Sequence, residues 1–146
     1  MKCPACDHEL SGIQVGTMAV DVCQGGCGGV WFDAFELKKV DEQHEVAGEP
    51  LTQIQRAPGI RVDATRKRDC PRCEGIKLKR QRFSRTSQVE LDHCPNCAGY
   101  WLDAGELEKI REEQHPDRAA AARRPQLSME VIRYMYRVRI EHRAAV

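Results

Sequence analysis

Eight cysteines carry the most chemistry in this chain, and they fall into two groups of four. Cys3, Cys6, Cys23 and Cys27 follow the spacing C-x2-C-x16-C-x3-C; Cys70, Cys73, Cys94 and Cys97 follow C-x2-C-x20-C-x2-C. Two residues between cysteines form a tight turn that presents both sulfurs to one cation while its backbone amides face the thiolates. Two such turns, brought together by a hairpin, enclose a tetrahedral site of four thiolates. The spacing therefore predicts two structural metal sites per chain with Zn2+ as the cofactor, although iron suits the same ligands, as in rubredoxin-like sites. With every position taken by sulfur, none is left for water or substrate, which argues against metal-centred catalysis. The sequence also has no glycine-rich phosphate loop, serine nucleophile elbow or cysteine–histidine catalytic pair, so it reads as a non-enzyme without a small-molecule substrate.

Disulfides are the competing use of eight cysteines. The start, Met-Lys-Cys-Pro-Ala-Cys, has no apolar signal region, and no apolar run approaches the ~20 residues of a membrane span. A cytoplasmic, reducing setting is expected, which disfavours disulfides and any membrane role. The 146 residues include only eight aromatics, too little apolar material for one large core, so metal is expected to supplement burial.

The cysteine groups belong to an internal repeat. Cys27-Gly-Gly-Val-Trp-Phe-Asp-Ala-Phe-Glu-Leu aligns without gaps on Cys97-Ala-Gly-Tyr-Trp-Leu-Asp-Ala-Gly-Glu-Leu. Unit one is placed at residues 1–45, a linker at 46–67, unit two at 68–115 and a basic extension at 116–146. Strand-like runs at Leu10 to Val15 and Met18 to Val22 flank Gly16-Thr17; Ile76 to Phe83 and Ser87 to His93 flank Arg85-Thr86. Each hairpin would thus start after one cysteine pair and deliver the chain to the other. Asp33-Ala-Phe-Glu36 and Asp103-Ala-Gly-Glu106 both have capping-box spacing, predicting short helices from Phe35 to about Val40 and from Gly105 to about Glu113. Capping explains these carboxylates better than acid–base catalysis does. Leu127, Val131, Tyr134, Met135 and Val138 mark one face of an amphipathic helix ending near His142, flanked by basic pairs such as Arg133/Arg137. The fold class is a small metal-stabilised α+β protein: two tandem zinc ribbons, each a β-hairpin plus a short helix, and a C-terminal amphipathic helix.

Charge is unevenly distributed. Residues 1–50 hold 3 Lys/Arg against 9 Asp/Glu, residues 51–116 hold 13 against 10, and residues 117–146 hold 7 against 3. Eight thiolates and two divalent ions would move the formal +1 to about −3, so net charge does not announce a nucleic-acid binder. The basic stripe Arg66, Lys67, Arg68, Lys77, Lys79, Arg80, Arg82 and Arg85 is the candidate phosphate-contacting surface, with a solvated charged face as the alternative. Trp31 and Trp101, four residues after the last cysteine of each group, are expected to cover the metal sites as core. His8 and His93 adjoin cysteine ligands and are read as neighbours of the sites rather than ligands.

The string Cys-Pro-x-Cys…Cys-Pro-Asn-Cys-Ala-Gly-Tyr-Trp-Leu-Asp-Ala-Gly-Glu-Leu, Cys70 to Leu107, resembles the small bacterial TFIIB-type zinc-ribbon family, also called transcription-factor zinc-finger domain proteins. The resemblance implies one zinc per unit on the cysteines named above, and a transcription-like fold. Unit one departs from it at the extra residue in Cys23-Gln-Gly-Gly-Cys27 and at Phe35, which stands where unit two has Gly105 and suggests an added hydrophobic contact.

These features together predict a cytoplasmic zinc-binding interaction module, with a protein partner or self-association through the C-terminal helix. Its rivals are a nucleic-acid-binding, transcription-related regulator that uses the basic second ribbon and a redox- or metal-responsive zinc-thiolate protein.

Overall fold

Glycine at a two-residue turn is what closes the first hairpin. Gly16 adopts φ +59°, and β1 (Ser11–Val15) pairs with β2 (Met18–Val22) so that Val15 faces Met18. The computed structural model describes residues 1–41 and 45–114, together with Arg133, Tyr134 and Arg137. In the second hairpin β4 (Lys79–Arg82) pairs with β5 (Glu90–His93) across a longer loop, and the isolated bridges Lys2↔Glu9 and Asp69↔Lys77 close the chain around the first cysteine pair of each unit. Both hairpins form where the alternating runs predicted them.

The sequence pattern did not announce a third strand in each ribbon. β3 (Val30–Phe32) and β6 (Tyr100–Leu102) follow the second cysteine pairs and add to β2 and β5. They also pair with each other, antiparallel, with Trp31 opposite Trp101. The result is one six-stranded sheet ordered β1-β2-β3-β6-β5-β4, in which the two ribbons meet about an approximate two-fold axis. Residues 1–115 form one compact unit.

Because side chains alternate across a strand, the three residues of β3 and of β6 serve two cores. Trp31 and Trp101 join Leu10, Leu78 and the cysteines on one face. Val30, Phe32 and Leu102 join Val20, Leu91, Leu107 and Ile110 on the other. The scarce apolar residues are therefore divided by sheet face, and both ribbons contribute to each cluster.

The helices differ in length. Unit two has α2 (Glu106–Gln114), whereas unit one has a 3-10 turn at Leu37–Lys39. Between the ribbons, a 3-10 turn at Val46–Gly48 runs into α1 (Glu49–Thr52), whose Leu51 is buried. The rest of the segment lies along the ribbons: the Ala57 N–H donates to the Gly26 carbonyl at 2.9 Å, and Ile60 and Val62 pack against the cysteine cluster. Arg111 ties α2 to unit one by donating to the carbonyls of Val40 and Glu45 at 2.8 and 3.1 Å. In the C-terminal extension, Arg133, Tyr134 and Arg137 are helical and exposed; the rest of the amphipathic helix expected there lies outside the described residues.

Candidate metal centres and basic groove

Each hairpin brings one cysteine pair to the other. The sulfurs of Cys3, Cys6, Cys23 and Cys27 all lie within 4.8 Å of one another, as do those of Cys70, Cys73, Cys94 and Cys97. A zinc ion bonded to sulfur at about 2.3 Å in a tetrahedron separates its ligands by about 3.8 Å. The sulfurs of Cys3 and Cys27 are 3.5 Å apart, those of Cys6 and Cys23 3.4 Å, and those of Cys70 and Cys97 3.8 Å. Backbone amides already face the sulfurs as thiolate ligands require: Ala5 N–H to Cys3 at 3.3 Å, Cys73 N–H to Cys70 at 3.3 Å and Cys97 N–H to Cys94 at 3.4 Å. Both groups fit a zinc ion, which would supply the charge that lets four crowded thiolates coexist.

Burial and close neighbours shift the cysteine thiols in opposite directions. Cys3 is pushed far up, first by its hydrogen bond to Cys27 and then by burial, while the same bond draws Cys27 down to about 6. Burial raises Cys70; Cys94, although burial opposes it, is brought down to about 7 by the amides of Cys97 and Asn96. Outside the sulfur set, His8 Nδ1 lies 3.2 Å from Cys6 Sγ, and Asn96 Nδ2 donates to Cys73 Sγ at 3.2 Å. His93 instead stacks at a tilt on Tyr100, with ring centroids 4.7 Å apart.

Both tryptophans are fully buried against the cysteine clusters, as expected of core residues. The cross-strand arrangement reaches further. A Cβ at Gly29 would overlap the Trp101 ring, and one at Gly99 would overlap the Trp31 ring. Glycine at the same position of both repeats was the available sequence signal for this close approach.

The capping boxes form by halves. Glu36 and Glu106 accept the Asp33 and Asp103 N–H groups, each at 2.8 Å. The aspartate carboxylates turn instead to the indoles, with Trp31 Nε1 donating to Asp33 at 3.0 Å and Trp101 Nε1 to Asp103 at 3.1 Å. Each also takes an arginine. Arg72, between Cys70 and Cys73 of unit two, binds Asp33 through two 2.7 Å hydrogen bonds and so clamps one ribbon to the other. Arg68 donates to Asp103 at 2.9 Å and Asp92 at 2.8 Å. Neither arginine's partner is visible from local spacing.

Arg68 therefore leaves the candidate phosphate-contacting set: it is 2% exposed and held between two carboxylates, because its guanidinium balances charges that the sheet buries. Arg66, Lys67, Lys77, Lys79 and Arg80 surround one surface groove of about 810 Å³, which the buried Arg68–Asp92 pair also lines. All five are exposed. Arg66 pairs with Asp7 at 3.0 Å, Lys77 with Asp69 at 2.6 Å and Arg80 with Asp92 at 3.5 Å, and Arg80 also donates to the Ala64 carbonyl at 2.9 Å. Lys67 and Lys79 have no acidic partner among the described residues. Arg82 is exposed on edge strand β4 and Arg85 in the loop after it; neither lines the groove.

Phe35 departs from expectation. It is 83% exposed at φ +72°, making no buried contact, because the backbone adopts the left-handed turn that Gly105 adopts at φ +87° in unit two. That turn directs the side chain outward.

A family model described as transcription factor zinc-finger, of the TFIIB zinc-ribbon type, matches residues 2–42 and again residues 69–113, together more than half of the chain. No curated protein and no solved structure matches. Among the described residues no helix is long and apolar enough to cross a membrane.

Proposed function

The chain belongs to the TFIIB-type transcription factor zinc-finger family, and from that premise we propose that it is a non-enzymatic interaction module whose basic groove binds a phosphate-bearing macromolecule, nucleic acid first. One observation carries this reading: Arg66, Lys67, Lys77, Lys79 and Arg80, from the linker and the second hairpin, converge on one open groove. Edge strands often carry Lys and Arg to prevent strand addition, which accounts for β4 alone. It does not account for Arg66 and Lys67, which the linker brings to the same groove. Zinc here has a structural role, since four thiolates close each coordination sphere.

Among the described residues no aromatic side chain lines the groove, so affinity is expected from phosphate contacts rather than base stacking. The test is a salt titration with fluorescently labelled single-stranded and duplex oligonucleotides. Binding is expected at low salt with little sequence preference, falling steeply as salt rises. Lys67→Ala with Lys79→Ala should weaken it at least tenfold without altering zinc content. Absence of low-salt binding, or affinity unchanged by the double substitution, overturns the proposal. The expected self-association through the C-terminal helix is a separate proposal, checked by sedimentation of the full chain.

A further inference from the structure

Each metal site is built against the other ribbon. Gly29 follows Cys27, the last ligand of the first site, by two residues, and Gly99 follows Cys97 in the same way. Each glycine is tied into its own ligand turn: the Cys23 N–H donates to the Gly29 carbonyl at 2.9 Å, and the Cys94 N–H to the Gly99 carbonyl at 3.0 Å. The indoles lie on these glycines crosswise. A Cβ at Gly29 would fall 2.2 Å from Trp101 Cζ2, and one at Gly99 would fall 2.1 Å from Trp31 Cζ2. The floor under each tryptophan is thus the ligand turn of the other ribbon's metal site.

A second link runs through charge. Arg72 stands between the ligands Cys70 and Cys73, yet its guanidinium holds Asp33 at 2.7 Å and reaches Asp21 at 3.2 Å, both in unit one. Asp33 in turn accepts the Trp31 indole N–H, and the Trp31 ring rests on Gly99. The contacts therefore leave the second site at its first ligand pair, cross into unit one, and return to the second site at its other pair. Burial follows the same course, because ligands of both sites and both tryptophans share one buried cluster.

Metal supplies most of what fixes so short a ligand turn, so binding at a site is also folding of that site. An empty site leaves its turn to be ordered by packing alone, and with it the surface on which the other ribbon's indole rests. Zinc bound at one site carries out part of the ordering that the other requires, which lowers the entropy cost of the second binding event. We infer that the two sites bind zinc with positive cooperativity: an ion at either raises the affinity of the other, and the chain takes up and gives up its two ions together. Linkage makes the effect equal in both directions, although Arg72 belongs to one site only. The chain then responds to zinc supply as a switch between a metal-free and a doubly loaded form. This inference stands apart from the basic groove and does not depend on it.

The experiment withdraws zinc from the loaded, reduced full chain with a competing chromophoric chelator. Cys27→Ser and Cys97→Ser report the affinity of each site alone. The wild-type constant for binding both ions is expected to exceed the product of those two affinities by about 10- to 100-fold, the usual range of coupling between sites. Equality with the product overturns the inference. A variant that keeps all eight ligands guards against misfolding of the one-site proteins, since Gly99→Ala pushes the Trp31 ring off its floor and leaves both cysteine sets intact. Native mass spectrometry at one zinc per chain should find the singly loaded form several-fold more abundant in Gly99→Ala than in the wild type. An unchanged share of that form likewise overturns the inference.

Discussion

Trp31 and Trp101 stand directly opposite each other in the β3–β6 ladder, and each ring lies where the other ribbon has a glycine, Gly99 under Trp31 and Gly29 under Trp101. This reciprocal fit makes one sheet of two ribbons. Either Gly29→Ala or Gly99→Ala forces a ring off its position, and overpacking of this kind costs about 1–3 kcal/mol. Urea unfolding of the zinc-loaded chain should show losses of that size for both, and near-wild-type stability for Gly12→Ala, where the added Cβ meets nothing closer than 3.9 Å.

Removing one metal should loosen both ribbons. Cys27→Ser opens the first site, yet the clusters on both sheet faces draw on both repeats. Hydrogen exchange is expected to lose protection in β5 and β6 as well as in β1 to β3, with zinc content falling below two per chain. Full protection of β5 and β6 in that variant would show the ribbons to be energetically separate.

The two arginines that bind capping aspartates should differ sharply in worth. Arg72 and Asp33 are 44% and 39% exposed, so solvent screening leaves their pair about 1 kcal/mol or less, shrinking further in salt. Arg68→Ala leaves buried Asp92 only the 3.5 Å contact with Arg80 and takes Asp103's cation away, an effect of about 3 kcal/mol. Thermal unfolding of Arg72→Ala and Arg68→Ala at two salt concentrations tests the contrast, and equal losses would contradict it.

Glu106 gives a pH signature. Burial first, then the nearby Asp103 and Asp92 charges, raise its carboxyl to about 7 from the usual 4.5. The folded state therefore holds a proton that the unfolded state releases between those values, so this contribution is complete below pH 4.5 and is lost as pH rises through 7. The loss amounts to about 3 kcal/mol. Glu106→Gln still offers an oxygen to the Asp103 N–H and carries no charge. It should match the wild type near pH 5 and exceed it in stability at pH 8, read from urea midpoints of both proteins across that range. A difference that does not vary with pH would remove Glu106 as its source.

Phe35→Gly should stabilise the protein. A left-handed L-residue costs about 1–2 kcal/mol, and the larger unfolded-state entropy of glycine returns about 0.4–1 kcal/mol of that. The 83% exposed ring contributes little burial to lose. A net gain of about 0.5–1 kcal/mol is expected by denaturant unfolding.

What the sequence determined by itself was local. Cys3 and Cys6, or Cys94 and Cys97, declare a knuckle because two or three residues suffice to aim both sulfurs at one ion. Gly16-Thr17 closes a hairpin for the same reason, and Glu36 and Glu106 reach back three residues to an amide. The tertiary structure decided the rest. Val30–Phe32 and Tyr100–Leu102 are only three residues long and buried mostly on both faces, so they carry no alternating pattern, and their pairing spans some 70 positions. Asp33 and Asp103 had local amides to cap but took an indole and an arginine instead, because Arg72 and Arg68 arrive only when the ribbons and the linker close around them. The same closure buried Arg68 out of the basic stripe and laid the linker against Gly28. Each of these outcomes depends on which surfaces the two-fold pairing brings together, and spacing within either repeat holds no record of that pairing.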